Sequence, residues 1–223
     1  MDYALFRSKR KTIAIYIRDG TLEVRAPLKC PKPEIDSFVA SKEKWITDRL
    51  AASQKQAAQR EAFVLDYGDE LCLRGVLYPI VEKAGARAGF DGEVFYLPPG
   101  LDSQQIRDAC VQVYRRLAKT HLADRVDAFA RQMDVQPTAV KINGAKGRWG
   151  SCSSRKSINF SWRLIMADDD VIDYVVVHEL AHITHMNHSK RFWAEAEGVL
   201  PDYRERRTRL NELQKRLASE DWG

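Results

Sequence analysis

The sequence predicts an α+β fold. Three observations carry it: short alternating strands stand ahead of helices in each half of the chain, a long amphipathic helix occupies the middle, and an almost wholly apolar helix near residue 175 carries a cluster of histidines. At 223 residues the chain can bury a sizeable core as one unit or as two tightly joined ones. The expected division is a β-rich N-terminal portion with one helix over 1–101 and a second, helix-rich portion over 102–223.

The elements can be justified in order. Ile13, Ile15 and Ile17 alternate with small or polar residues, Asp19 and Gly20 offer a hairpin turn, and Leu22, Val24 and Ala26 alternate back. A helix is expected from about Pro33, with Ile35, Phe38, Trp45, Ile46 and Leu50 on one face and Lys42, Lys44, Arg49 and Lys55 solvated. Short strands follow over 71–73, 77–81 and 94–97, closed by Pro98, Pro99 and Gly100. The long helix spans about 103–133, with Ile106, Cys110, Val113, Leu117, Leu122, Val126 and Phe129 as its apolar stripe. Beyond Pro137, strands are expected over 140–143 and 158–164, the second because Ile158, Phe160, Trp162 and Leu164 alternate with Asn159, Ser161 and Arg163. Helices from Lys190 and Asp202 complete the chain, which shows no internal repeat and no low-complexity segment.

The histidine helix is the most informative element. Asp168, Asp169 and Asp170 supply its cap and first turn, where the helix dipole favours negative charge. The apolar run of Val171, Ile172, Val175, Val176, Val177, Leu180, Ala181 and Ile183 then requires burial. Four of the five histidines (His178, His182, His185, His188) fall in or just after it. His178 and His182, four residues apart, point the same way and can hold one Zn²⁺, while Glu179 can take a proton from an attacking water. Buried histidines without partners would cost roughly 1–3 kcal/mol each, so a pair on this helix needs a ligand or hydrogen bonds. The expected chemistry is that of a hydrolase with a single zinc ion.

The third ligand has two histidine candidates. His185 would share the ligand face if the helix continued, but then it sits two turns (about 10 Å) from His178, too far for one ion. His188 follows His182 by six residues, the spacing of extended zinc-binding motifs, with Asn187 able to turn the chain in a left-handed conformation. His188 is preferred; Glu195 or Glu197, one helix later, is a weaker alternative.

These residues carry a family resemblance. HELAHITHMNHSKRFW at 178–193, RWGSC at 148–152 and INFSWRL at 158–164 resemble the YgjP-like branch of minimal zincin metallopeptidases, relatives of the SprT-like proteases. RSKRKT at 7–12 and GTLEVRAP at 20–27 look like that family's opening hairpin, so the resemblance covers nearly the whole chain. It implies a minimal zincin core, with the histidine helix packed on a small sheet over 102–223. His178, His182 and His188 would be the zinc ligands and Glu179 the general base. One bacterial member of that family is assigned a UTP pyrophosphatase activity, so a peptide or a nucleotide substrate is implied.

Charge bears on the substrate. The chain is modestly basic at +5, yet residues 138–167 contain six basic side chains (Lys141, Lys146, Arg148, Arg155, Lys156, Arg163) and no acidic one. Such a run beside a metal would attract nucleotide phosphates, nucleic acid or acidic peptides, although runs of this kind are commonly solvated surface. Arg148, Arg163 and His185 are the candidates for binding substrate or an oxyanion, with Tyr174 a further donor. A nucleoside triphosphate pyrophosphatase and a SprT-like protease docked on nucleic acid through 141–163 are therefore alternatives to a peptidase. A pyrophosphatase is chemically distant, because phosphoanhydride cleavage more often uses Mg²⁺ held by carboxylates.

The four cysteines stand singly, which argues against a disulfide framework and a structural zinc. No stretch resembles a signal peptide or a membrane helix, so a reducing cytoplasm is the expected location. Small residues in 147–152 suit a close backbone approach, and a zincin would lay its substrate along the strand near Val140 or along 158–164.

Overall fold

The N-terminal alternation forms a three-stranded sheet in the computed structural model, which describes residues 1–18 and 20–223. Strand β2 (Ala14–Arg18) lies antiparallel to β3 (Thr21–Pro27), and β1 (Ala4–Ser8) runs parallel on the other side of β3. The turn expected at Asp19 lies in part outside the described residues. Leu22, Val24 and Ala26 point to a core shared with Ile35, Val39 and Ile46 from two helices, α1 (Lys32–Ser41) and α2 (Glu43–Glu61). One helix was expected here. The break falls at Lys42, whose φ of −112° and ψ of 12° leave helical values, and no Gly or Pro between 34 and 61 marks it in the sequence.

Two compact units result, Met1–Phe63 with Arg216–Asp221, and Val64–Lys215 with Trp222–Gly223. They part between Phe63 and Val64 rather than at 101/102, because the second sheet is built into the second unit. That sheet holds β4 (Glu70–Leu73), β5 (Val76–Glu82), β6 (Gly89–Phe90) and β7 (Phe95–Leu97) in the order β4-β5-β7-β6. It packs on α3 (Ser103–Gln132): Phe95 and Tyr114 lie with ring centroids 5.4 Å apart, and the Tyr114 hydroxyl donates to the Cys72 carbonyl at 2.8 Å. A two-residue turn, Arg74 and Gly75, joins β4 to β5 with both residues at positive φ. A Cβ on Gly75 would stand 2.9 Å from Asp168 Cβ, so the turn closes directly on the start of the histidine helix.

Helix α3 opens with a capping box between Asp102 and Gln105. Its core stripe runs as expected except at Leu117, which is only half buried; Tyr114 and Ala118 fill that level instead. Beyond it, β8 (Ala139–Asn143), β9 (Gly150–Cys152) and β10 (Ser157–Ser161) form a third sheet in the order β8-β10-β9, with β10 parallel to β8 and antiparallel to β9. The strand expected to reach residue 164 ends at Ser161. Trp162–Met166 winds into a 3₁₀ turn with all five residues buried, so the chain has no polar face there to keep it in a strand. Phe160, fully buried on β10, is expected to cost about 3–5 kcal/mol when replaced by Ala, read as a lower urea midpoint with unchanged slope.

Helix α4 (Asp169–Thr184) follows, capped by the Asp168 carboxylate, which accepts from Val171 N at 3.1 Å. Its N-terminal turn is tied down by charge: Arg74 Nε donates to Asp169 at 2.8 Å, and Arg125 Nε to Asp173 at 2.6 Å. The Arg74 hydrogen bond holds the Asp169 carboxyl below the usual carboxylate range. Two helices, α5 (Lys190–Val199) and α6 (Tyr203–Leu217), complete an α+β architecture in which α4 packs between α3 and the β9 edge of the third sheet. Among the described residues no helix is long and apolar enough to cross a membrane.

Candidate metal centre

The apolar face of α4 buries Val175, Val176, Val177, Leu180 and Ala181, which leaves His178 and His182 to emerge one turn apart. Their rings stand edge to face with centroids 5.0 Å apart. His188 comes from the loop after the helix, and its Nε2 lies 3.1 Å from His178 Nε2. One nitrogen from each of the three lies within 4.8 Å of the others. Two nitrogens on one tetrahedral zinc, each at about 2.1 Å, stand roughly 3.4 Å apart, so the His178–His188 spacing already suits an ion.

The geometry distinguishes His188 from His185. Helix α4 ends at Thr184, and His185 caps it in an extended conformation (φ −126°, ψ 100°), so it does not continue the helical face of His178 and His182. The turn expected at Asn187 is thus made two residues earlier and without a left-handed residue. His185 serves the site in another way: its carbonyl accepts from His182 Nδ1 at 3.0 Å. That bond places the proton on Nδ1 and leaves Nε2 of His182 as a lone-pair donor. The His185 ring lies 3.3 Å from the Glu195 carboxylate, and Glu197 pairs with Arg204 at 3.6 Å, so neither Glu joins the imidazoles.

Phe192, fully buried on α5, packs against all three histidine rings, with centroids 4.9, 4.6 and 4.8 Å from His178, His182 and His188. Trp193 stacks on the exposed His188 ring at 5.7 Å. The Ser189 hydroxyl caps α5 and so holds the loop bearing His188. Sequence reasoning passed over Phe192 and Trp193 as site residues; their place just after the last histidine was the available signal.

Burial and the charges nearby push His178 down to about 3, so it is neutral at physiological pH, the form in which an imidazole binds metal. Its Nδ1 is buried without a protein hydrogen bond. Three neutral imidazoles converging this way fit a zinc ion better than a hard cation such as Mg²⁺, which prefers oxygen ligands.

Glu179 is also buried on α4, at 5% exposure, and its Oε2 has no hydrogen-bond partner. Burial raises its carboxyl to about 7, while the Arg148 charge opposes the rise. The carboxylate rests against the backbone of β9: a Cβ on Gly150 would fall 2.6 Å from both Cγ and Oε1 of Glu179. Only glycine permits that approach. Gly150→Ala is therefore expected to displace the carboxylate and lower turnover roughly 10²-fold with zinc content unchanged, checked by kcat beside metal analysis.

The remaining candidates separate. Arg148 is exposed and near enough to act on Glu179 electrostatically. Arg163 is 7% exposed and faces inward; it donates to the carbonyls of Gly144 at 3.0 Å and Gly223 at 3.2 Å and lies over the Trp162 ring. With its guanidinium engaged in this way, Arg163 is a structural residue rather than the substrate clamp expected. The six basic residues consequently do not share one face. Cys152 on β9 has its thiol pushed up by burial and by the Glu179 charge, which disfavours a thiolate nucleophile. Strand β10 lies inside its sheet, so the substrate-aligning strand expected at 158–164 has no free edge; β8 and β9 are the edges.

Comparison with protein families matches residues 11–213 to the YgjP-like, metallopeptidase domain. Among solved structures, the chain is similar to the metallopeptidase zymogen of Pyrococcus abyssi abylysin, at 24% identity and a TM-score of 0.38 over 40% of this chain and 90% of that one. It is also similar to the metallopeptidase zymogen of Methanocaldococcus jannaschii jannalysin, at 19% identity and a TM-score of 0.38 over 41% and 94%. No curated protein matches. The family match takes in every residue of the histidine centre, and the chain belongs to the YgjP-like metallopeptidase domain family.

Proposed function

We propose that this protein hydrolyses peptide bonds with one zinc ion held by His178, His182 and His188. The observation that carries the reading is the convergence of three imidazole nitrogens within 4.8 Å beside the buried Glu179 carboxylate, which lines the same cavity as His178. When bound, zinc supplies Lewis acidity, lowering the pKa of a coordinated water and polarising the scissile carbonyl. Glu179 takes the proton of the attacking water and returns it to the leaving amine nitrogen. Its carboxyl, raised to about 7, is matched to exchanging a proton near neutral pH. Gly150 holds the carboxylate close to β9, an edge strand of its sheet among the described residues. A substrate backbone adding to that edge would pass beside Glu179.

The test is cleavage of a mixed peptide library by zinc-loaded protein, with products identified by mass spectrometry. Cleavage that disappears on chelation and returns with zinc is the expected result. A library left intact by zinc-loaded, folded protein would overturn the peptidase reading.

A further inference from the structure

A cavity of about 210 Å³ opens beside the histidine centre, walled by Trp149, Gly150, Tyr174, Val175 and Leu210. His178 and Glu179 complete its lining. Small-molecule sites usually occupy about 300–1,000 Å³, so this one is sized for a single side chain rather than a whole ligand. We propose that it receives the side chain of one substrate residue flanking the scissile bond and selects an uncharged apolar chain of leucine to phenylalanine size; the assignment rests on the peptidase reading of the metal centre.

Position supports it first. Val175 precedes His178 by three residues and Glu179 by four, so all three share one face of α4 within a single turn. A side chain seated against Val175 therefore lies about one helical turn, roughly 6 Å along the axis, from Glu179, which lines the same cavity. Leu210 on α6 also lines the cavity, and Trp149 and Gly150 bring the start of β9, the edge along which an extended substrate would lie.

Chemistry narrows the occupant. Val175, Tyr174 and Leu210 are buried at 3%, 5% and 8% exposure, so a charged group placed among them would lose its hydration. An acidic side chain would also meet Glu179, whose Oε2 has no hydrogen-bond partner to offset the repulsion. A basic side chain would pair with that carboxylate and withdraw the proton acceptor. The guanidinium groups near the site, Arg148 and Arg207, are exposed and do not line the cavity.

Two measurements on the zinc-loaded chain test this together. In the first, ¹³C-methyl spectra follow Val175 and Leu210 during titration with the acetyl amides of leucine, phenylalanine, alanine and aspartate. The methyls are expected to shift with leucine and phenylalanine and to stay in place with aspartate. In the second, the peptide library is read for preference at each position around the cut, in the natural chain and in Leu210→Ala and Leu210→Phe. One flanking position should favour leucine or phenylalanine over alanine by roughly 10–100-fold in kcat/KM. Leu210→Ala should move that preference toward larger side chains and Leu210→Phe toward smaller ones, with zinc content confirming the fold of each variant. Cleavage without such a preference, or a preference that neither variant moves, would overturn the pocket assignment and leave the peptidase reading standing. Apolar-selective methyl shifts with no peptide cleaved would overturn the peptidase reading while upholding an apolar side-chain site.

Discussion

Glu179→Gln is expected to lower kcat by about 10²–10⁴-fold while zinc content and thermal stability stay near those of the natural chain. Gln keeps the shape that packs on Gly150 but cannot take a proton from water. Stability should change little, because the natural carboxylate is itself an uncompensated buried group: its Oε2 has no hydrogen-bond partner, and burial drives its pKa up to about 7. An amide there removes the cost of burying a charge, although its NH₂ then needs a partner. Full turnover in the Gln variant would sink the general-base assignment. Loss of zinc along with activity would mean instead that Glu179 acts through the metal site's integrity.

His188→Ala should weaken zinc binding by at least 10²-fold, measured by competition with a chromophoric chelator, and leave the fold intact. Loss of an outer-shell partner alone typically costs 10–100-fold in metal affinity, and a direct ligand should cost no less. The fold is spared because His188 is exposed on a loop, with Phe192 and Trp193 still anchoring the start of α5. His178, half-buried and packed against Tyr174 and Phe192, offers no such separation of metal from packing. Unchanged zinc affinity in His188→Ala would remove it from the ligand set. His185 could not simply replace it, because its ring is turned to Glu195.

How much was legible in the sequence differs from element to element. The capped start of α4 and the burial of its apolar run were readable, because caps and periodicity are local properties of the chain. So were β3, with its alternating Leu22, Val24 and Ala26, and the span of α3. The break between α1 and α2 was not, since it lies among good helix formers. Trp162 and Leu164 alternate like strand residues, yet they lie in a 3₁₀ turn whose five residues are all buried. Alternation describes a surface with two different sides, and that segment has only one environment.

The sequence by itself determined the helix that presents His178, Glu179 and His182 in fixed phase, because a helix sets the direction of its side chains through spacing alone. It also supplied the residues that identify the family. Tertiary structure decided the rest of the centre. It ended α4 at Thr184, so that His188 approached His178 and His185 turned to Glu195. It drew Arg163 inward to the carbonyls of Gly144 and Gly223, and it laid β9 so close to α4 that Gly150 became the rest for Glu179. These outcomes depend on distances between segments far apart in the chain, which follow from how the helices and sheets pack and not from any local run of residues.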